Sequence, residues 1–321
     1  MKIYFLITLL TTAEYLSVTA NKYCKSALCP AGARHIACKK QPGKFYASCP
    51  KNAAMVPIGK KLKSLIVNVH NKRRNYIAEY LSVAANKYCK SALCPAGARH
   101  IACKRQPGKF YASCPKNAAM VPIGKKLKSL IVNVHNKRRN YIAGGNVAKF
   151  RPACRMATMR WDPVLAKMAS YNVRQCKMTH DKCRNTARYN YSGQNLAMIS
   201  YTETLDMKGL IKTSIDGWYE EYKKTKWKQL RSYPTNYKGP DIGHFTTMVG
   251  EQNIALGCAA STFTSNGVIH FLLACNYATT NIAKNPVYTG CARAAAKCKA
   301  GRNPKYPNLC ARKERYNVNK W

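Results

Sequence analysis

The sequence predicts a disulfide-rich fold that combines helices with a late antiparallel pair of strands. Two late segments, 253–263 and 267–278, have the composition of strands, and Asn266-Gly267 between them is typical of a hairpin turn. The chain contains 16 cysteines in 321 residues, which favours covalent cross-linking. Three earlier segments read as helices: 123–143, 161–176 and 202–224.

The helix within 161–176 has the clearest local signals. Asp162 suits the N-cap position, and Pro163 suits the first helical position. In the helix over 123–143, four apolar residues are predicted to share the core-facing side: Leu127, Leu130, Ile131 and Val134. In the helix over 161–176, six residues at helical spacing are predicted to face the core: Leu165, Met168, Ala169, Asn172, Val173 and Cys176.

Residues 1–20 have the three-part layout of a secretion signal, with cleavage predicted after Ala20. The apolar run at residues 3–10 is too short to span a bilayer, although an N-terminal membrane anchor is the alternative interpretation. We therefore predict a secreted, extracellular protein with no transmembrane segment. In an oxidising compartment the cysteines are predicted to form disulfides, and the absence of a Cys-x-x-Cys pair disfavours zinc binding by cysteine.

The chain is strongly basic, with 55 Lys and Arg against 12 Asp and Glu and a net charge of +43. For a secreted protein, this charge favours anionic polysaccharides, acidic lipid headgroups or extracellular nucleic acid as partners. No sequence-specific nucleic-acid motif accompanies it. The alternative is that the charge serves solubility alone.

Residues 14–78 and 79–143 are nearly identical and differ at two positions, Thr19 against Ala84 and Lys40 against Arg105. Structural repeats normally diverge and need three or more copies to bury a shared core. The duplicated unit also begins inside the predicted secretion signal. We interpret the first copy as a recent duplication or an artefact of sequence assembly, and a genuine tandem module is the alternative.

Several separated motifs resemble the CAP superfamily, which includes cysteine-rich secretory proteins, insect antigen 5 and plant pathogenesis-related proteins. They are "HNKRR", "QCKMTHDKC", "SGQNLA", "GWYEE", "GHFTTMVG" and "HFLLACNYA", in the family's order. The cysteine-rich start and the tail "NPKYPNLC" are most similar to the antigen 5-related proteins of flies.

The resemblance implies an α+β fold, a three-layer α/β/α sandwich with a small antiparallel sheet. Together with the predicted secretion signal and the duplication, it divides the chain into four segments. These are a signal peptide at 1–20, the duplicated cysteine-rich segment and first helix at 21–78, a CAP domain at 79–285, and a cysteine-containing extension at 286–321.

The resemblance further implies a set of disulfides, each typically worth about 2–4 kcal/mol. The pairing of Cys154, Cys291, Cys298 and Cys310 stays open, as does that of the first-copy cysteines, which would compete for Cys176 and Cys183. The four implied disulfides are Cys89–Cys103, Cys94–Cys183, Cys114–Cys176 and Cys258–Cys275.

By resemblance, the family's cleft has two histidines and two acidic residues, which correspond here to His180, His244, Glu221 and, at the fourth position, Gln194. Glu220 is the alternative to Glu221. Two imidazoles could hold zinc or copper, although an amide in place of a carboxylate weakens both metal binding and acid–base chemistry. The alternative is that both histidines are structural.

The resemblance favours a non-enzymatic binding protein of venom, saliva or body fluid that needs no cofactor. Its ligand would be a small apolar molecule such as a sterol or fatty acid. One alternative is a basic-surface binder of glycosaminoglycans or acidic membranes that acts on host immune or haemostatic proteins. The other is a metal-dependent hydrolase or redox protein, although Gly-x-Ser-x-Gly and His-Glu-x-x-His are absent. Asn190 begins a glycosylation sequon, Asn-Tyr-Ser.

Overall fold

The computed structural model describes residues 55, 58–71, 88–89, 92–203 and 206–320. The chain divides into two compact units, 1–72 and 73–321. The predicted signal peptide and the first-copy cysteines Cys24, Cys29, Cys38 and Cys49 lie outside the described residues. No helix in the described ranges is long and apolar enough to cross a membrane.

The first unit contributes one described helix, α1, over 60–71. None of residues 58–71 is buried, and apolar Leu65 and Val67 are 57% and 49% exposed. The described residues of α1 are therefore all exposed or half-buried.

A five-stranded sheet is the centre of the second unit. The spatial order is β1-β4-β5-β3, and β2 pairs with β4 in parallel beside this path. The strands are β1 (Ala119–Val121), β2 (Arg160–Trp161), β3 (Gly193–Tyr201), β4 (Ala255–Ser265) and β5 (Val268–Tyr277).

β4 and β5 form the predicted antiparallel hairpin. Ser265 pairs with Val268, so the turn consists of Asn266 and Gly267 alone. Both turn residues have positive φ, 49° and 75°. A type I′ turn requires this backbone conformation at both central positions, and Asn and Gly tolerate it best.

β3 is a long strand that the sequence analysis did not predict. It pairs antiparallel with β5, from Gly193 opposite Tyr277 to Tyr201 opposite Ile269. This pairing makes β5 a central strand and places "SGQNLA" directly on the sheet.

Helices cover both faces of the sheet, which confirms the α/β/α sandwich. On β5, Phe271 and Leu273 belong to the main core, whereas Leu272 and Ala274 pack with Val173 in a second cluster. This alternation is the period-two side-chain pattern of a strand buried on both faces. The second unit's helices are α2 (Lys125–Ala143), α3 (Pro163–Val173), α4 (Met207–Glu220), α5 (Trp227–Arg231) and α6 (Gly243–Val249).

α3 begins as its sequence predicts. The Asp162 side chain accepts hydrogen bonds from the backbone N–H groups of Val164 and Leu165, and Pro163 lies in the first turn. The helix packs closely on β4, because Gly257 has the backbone of Ala166 and Asp162 where a Cβ would lie.

The core-facing side of α2 includes most of the predicted residues and more. Ile131 is fully buried, and the partly buried Leu127 and Val134 pack against the main core, whereas Leu130 does not belong to it. The rest of the fully buried side includes polar His135, Asn136 and Arg139. The helical spacing of apolar residues could not predict the burial of these polar side chains. Each of them forms a hydrogen bond with a residue that lies far along the chain.

The second unit contains six disulfides among its described residues. All four pairs implied by the family resemblance are present. The remaining cysteines pair as Cys154–Cys291 and Cys298–Cys310. The extension at 286–321 is therefore cross-linked as predicted, and it also contributes to the main core through Val287, Tyr288, Tyr306 and Leu309.

Gly257→Ala should destabilise the fold by about 1–3 kcal/mol, because the added methyl group overpacks the α3–β4 contact. The measurement is chemical unfolding with the disulfides intact. Gly217→Ala on the exposed side of α4 is the matched control, since no atom lies within 4 Å of its Cβ position. The control should be neutral or stabilising by about 0.5–1 kcal/mol, and equal losses in both variants would contradict the proposed packing constraint.

The buried His135 side chain should make the folded protein less stable in acid. Burial lowers its pKa from 6.5 to about 4, with a smaller contribution from the Arg139 charge. The unfolded chain therefore binds a proton that the folded chain excludes. Stability from this group should be complete above pH 6.5 and decline as the pH falls toward about 4, by roughly 3 kcal/mol. His135→Gln should flatten this part of the stability–pH curve, and an unchanged slope would contradict the assignment.

Candidate functional site

The four predicted cleft residues come from separate elements. His180 lies in the loop between α3 and β3, and Gln194 is the second residue of β3. Glu221 starts a short 3-10 helix, Glu221–Lys223, directly after α4. His244 is the second residue of α6. The structure brings them together as two hydrogen-bonded pairs.

His180 is paired with Gln194, whose Oε1 lies 2.9 Å from His180 Nδ1. The Gln194 side-chain amide is fixed, because its Nε2 donates to Asp181 Oδ2 at 2.7 Å and to Asn276 Oδ1 at 3.0 Å. A carbonyl oxygen can only accept, so His180 Nδ1 carries the proton and Nε2 keeps its lone pair. Burial also lowers the pKa of His180, against the opposing effect of the Gln194 hydrogen bond.

His244 is paired with Glu221, whose Oε1 lies 2.6 Å from His244 Nδ1. The second oxygen of Glu221 accepts the backbone N–H of Phe245 at 2.9 Å. The carboxylate therefore orients the imidazole and the start of α6 together. Glu220 instead pairs with exposed Lys223 at 2.5 Å, so Glu221 is the carboxylate that contacts His244.

Asp181 is a site residue that the sequence analysis missed. Its side chain is buried, and its oxygens accept hydrogen bonds from Asn172 at 2.7 Å and from Gln194. Arg184 lies 3.5 Å away as its ion-pair partner. Asp181 follows His180 directly in "THDKC", and this adjacency was the signal in the sequence that could have identified it. The Asp181 carboxylate lies directly behind the neutral Gln194 amide. A negative charge is therefore present beside the cleft although Gln194 itself carries none.

The donor set around the cleft does not fit a resident metal centre. In the described part of the chain, no group of three or more His, Cys, Asp and Glu side chains could hold a metal ion. Both Glu221 oxygens are engaged, which leaves the two imidazoles as donors. Stable protein zinc sites use three or four protein ligands. The contact of zinc or copper with His180 and His244 stays a prediction, and no chemical step is assigned to it.

A histidine outside the cleft contacts two serine hydroxyls. His270 lies between Ser200 and Ser265, with its ring nitrogens 2.9 and 2.8 Å from the two hydroxyls. The group is exposed, and no carboxylate hydrogen-bonds to this imidazole among the described residues. A nucleophile needs a base oriented by a third group, so this contact does not constitute a catalytic site.

None of the following three cavities is an apolar pocket between helices. One cavity of about 70 Å³ is lined largely by polar side chains, among them Thr247, Glu251, Thr280 and Asn281. A second, of about 30 Å³, lies beside the extension near Arg160. A third, of about 270 Å³, lies beside His180. Asn190 is exposed, and its glycosylation stays a prediction.

Comparison with known proteins identifies the family. A family model described as "CAP: Cysteine-rich secretory protein family" matches residues 132–277, a range that contains all four cleft residues. Venom allergen-1 of Aedes albopictus is 40% identical over 230 residues, which covers 71% of this chain and 88% of that protein. The chain belongs to the CAP family.

Further relatives agree with this assignment. The antigen 5 like allergen Cul n 1 of Culicoides nubeculosus is 38% identical over 194 residues, which covers 57% of this chain and 87% of that protein. The crystal structure of Na-ASP-1 gives a TM-score of 0.52 at 21% identity, covering 63% of this chain and 50% of that chain. The predicted antigen 5-like family and the CAP fold are thereby confirmed.

Gln194→Glu should destabilise this CAP protein near pH 7. It would set a second carboxylate against Asp181 Oδ2, where Gln194 now donates a hydrogen bond. Two carboxylates in contact cannot both ionise freely, and losing the buried hydrogen bond costs about 1–3 kcal/mol. The loss should shrink as the pH falls, because one carboxyl group of the contacting pair can then protonate and donate to the other.

The matched control reverses the amide and the carboxylate. The double variant Gln194→Glu/Asp181→Asn restores one donor and one acceptor, so it should recover most of the lost stability. Urea unfolding of both single variants and the double variant measures the coupling. Additive losses would show that the two side chains do not depend on each other.

Proposed function

We propose that this CAP protein is a secreted, non-enzymatic effector that binds sulfated polysaccharides through its basic surface. The proposal rests on the difference between the basic and acidic residues in their number and in their contacts. Basic residues outnumber acidic residues 55 to 12, and most of the described carboxylates are engaged within the fold. The outer surface therefore presents cations with few anions among them.

The carboxylates hold backbone and buried side chains. Asp162 caps α3 and accepts the Tyr189 hydroxyl at 2.9 Å. Glu314, whose side chain is 1% exposed, pairs with Arg155 and accepts backbone N–H groups from the extension. The other acidic residues with such contacts are Asp181, Asp206, Glu221 and Glu251. Asp216 and Glu220 instead form ion pairs with the partly exposed side chains of Arg138, Lys212 and Lys223.

Few cations are neutralised by these carboxylates. The ion pairs in the described ranges involve Arg138, Arg155, Arg184, Arg188, Lys212, Lys223 and His244. The remaining lysines and arginines there form no ion pair. Such an excess of positive charge attracts polyanions over distances of about 10 Å at moderate salt.

A polysaccharide suits this surface better than an acidic membrane does. A protein that inserts into the membrane interface needs an apolar face beside its charges. The large apolar side chains exposed in the second unit lie on separate elements, α2, α3, β3 and the loop that precedes β3: Tyr141, Val164, Met178, Tyr191 and Met198. The described cavities likewise offer no support for a bound sterol or fatty acid.

Secretion and a role in venom or saliva are part of the proposal. Residues 1–20 carry the layout of a secretion signal, the matching family is described as secretory, and relatives are named as venom allergens. The absence of an enzymatic role is supported by the cleft, where Glu221 is committed to His244 and Phe245 and Gln194 is an amide.

The full chain should bind a heparin column and elute above physiological salt, about 0.15 M, because added ions screen the attraction. The same column chemistry with the sulfate groups removed should retain it much less. Elution below physiological salt would contradict the proposal. Bound lipid that copurifies through high salt would instead favour the apolar-ligand alternative.

A further inference from the structure

The cavity of about 270 Å³ beside His180 is built at the junction of the cysteine-rich segment and the loop that follows α3. We call it the basic cavity. Its lining includes Arg99, Arg105, Tyr111, Gln175, His180 and Lys182.

The walls of the basic cavity are held by covalent and backbone contacts. Cys94–Cys183 and Cys114–Cys176 join the two segments on either side of it. The N–H of Ile101 donates to the Cys183 carbonyl at 2.9 Å, and the N–H of Tyr111 donates to the Arg174 carbonyl at 3.0 Å. A site held in this way needs little ordering when a ligand binds.

The cations of the basic cavity are unpaired. None of the ion pairs in the described ranges involves Arg99, Arg105 or Lys182. The carboxylate in the wall belongs to Asp181, which is buried and already held by Asn172, Gln194 and Arg184. Its charge is therefore directed into the protein, and the cavity keeps an excess of positive charge.

Arg105 is held in a defined orientation. The central carbon of its guanidinium lies 3.6 Å from the centroid of the Tyr111 ring. Stacking on an aromatic face leaves the N–H groups at the guanidinium edge free to donate. A planar fork of donors suits the paired oxygens of a sulfate group, and these charge-assisted hydrogen bonds are among the strong ones.

We propose that the basic cavity binds a sulfate group of a sulfated polysaccharide, with Arg99, Arg105 and Lys182 as its contacts. The inference rests on the proposed function and names its site. A recessed cavity admits a substituent that projects from a flexible polymer. A bilayer presents its charges in a plane, for which a basic surface flanked by apolar anchors is the expected design.

The test is calorimetric titration of the full chain with a heparin-derived tetrasaccharide at physiological salt. The double variant Arg99→Ala/Arg105→Ala should bind at least about tenfold more weakly, because it loses two charge-assisted contacts. The control double variant Arg293→Ala/Arg312→Ala removes the same charge from exposed arginines that form no ion pair, and it should lose less than about twofold.

Arg105→Lys separates geometry from charge and is the residue found at the corresponding position 40 of the first copy. It keeps the positive charge but loses the planar fork. Its affinity should lie clearly below that of the original chain. An affinity equal to that of the original chain would overturn the role of the stacked guanidinium. Unchanged thermal unfolding of each variant establishes that the fold is intact.

The outcomes separate the two proposals. If the original chain binds neither column nor tetrasaccharide, the proposed function fails and this site fails with it. If the chain binds but both double variants weaken equally, the basic cavity is overturned and the polysaccharide function stands. Equal binding of a desulfated tetrasaccharide, or tighter binding to vesicles with anionic headgroups, would overturn the sulfate assignment.

Discussion

The buried guanidinium of Arg139 is the interaction on which the arrangement of the second unit depends most. It is fully buried, and it donates to the carbonyls of Met248 and Gly250 at 2.6 and 3.0 Å and to that of Ala157 at 2.7 Å. These carbonyls lie at the end of α6 and in the segment before β2. A cation suits the carbonyl end of a helix, so Arg139 joins α2 to α6, the helix that carries His244.

The cleft shows how an amide is accommodated by its surroundings. Gln194 lies where the family resemblance implies an acidic residue, and Asp181 supplies a buried carboxylate directly behind it. A carboxylate at both positions would be repulsive, whereas an amide satisfies both neighbours. Glu221 orients His244 in the same way from the other side. Both imidazoles are thus held by their Nδ1 atoms, an arrangement that fixes their orientation.

The distribution of charge links folding to the proposed function. Carboxylates cap helices and hold loops, roles in which partial burial is tolerated because each oxygen has a donor. The fold therefore engages most of the described carboxylates in contacts within the protein. Only a few cationic side chains, such as Arg139, make comparable contacts inside the protein. The others remain at the surface, where they can attract a polyanion.

The sequence by itself determined the features that depend on neighbouring residues. Asn266-Gly267 specified the hairpin because its backbone conformation is local, and Asp162 specified the start of α3 for the same reason. The family's motifs supplied four disulfides and the cleft residues. Composition alone established the basic character. Strand β3 and the role of Asp181 needed partners from distant parts of the chain.

The duplicated helix shows which features follow from the local sequence and which follow from tertiary packing. Residues 60–71 and 125–136 have the same sequence, and both are helical. His70 is exposed in α1, whereas His135 is fully buried in α2 and bonded to the Tyr277 hydroxyl at 2.9 Å. Helix formation follows from contacts within a few residues. Burial and hydrogen bonding follow from which distant segments pack against the helix, and only the tertiary structure decides that.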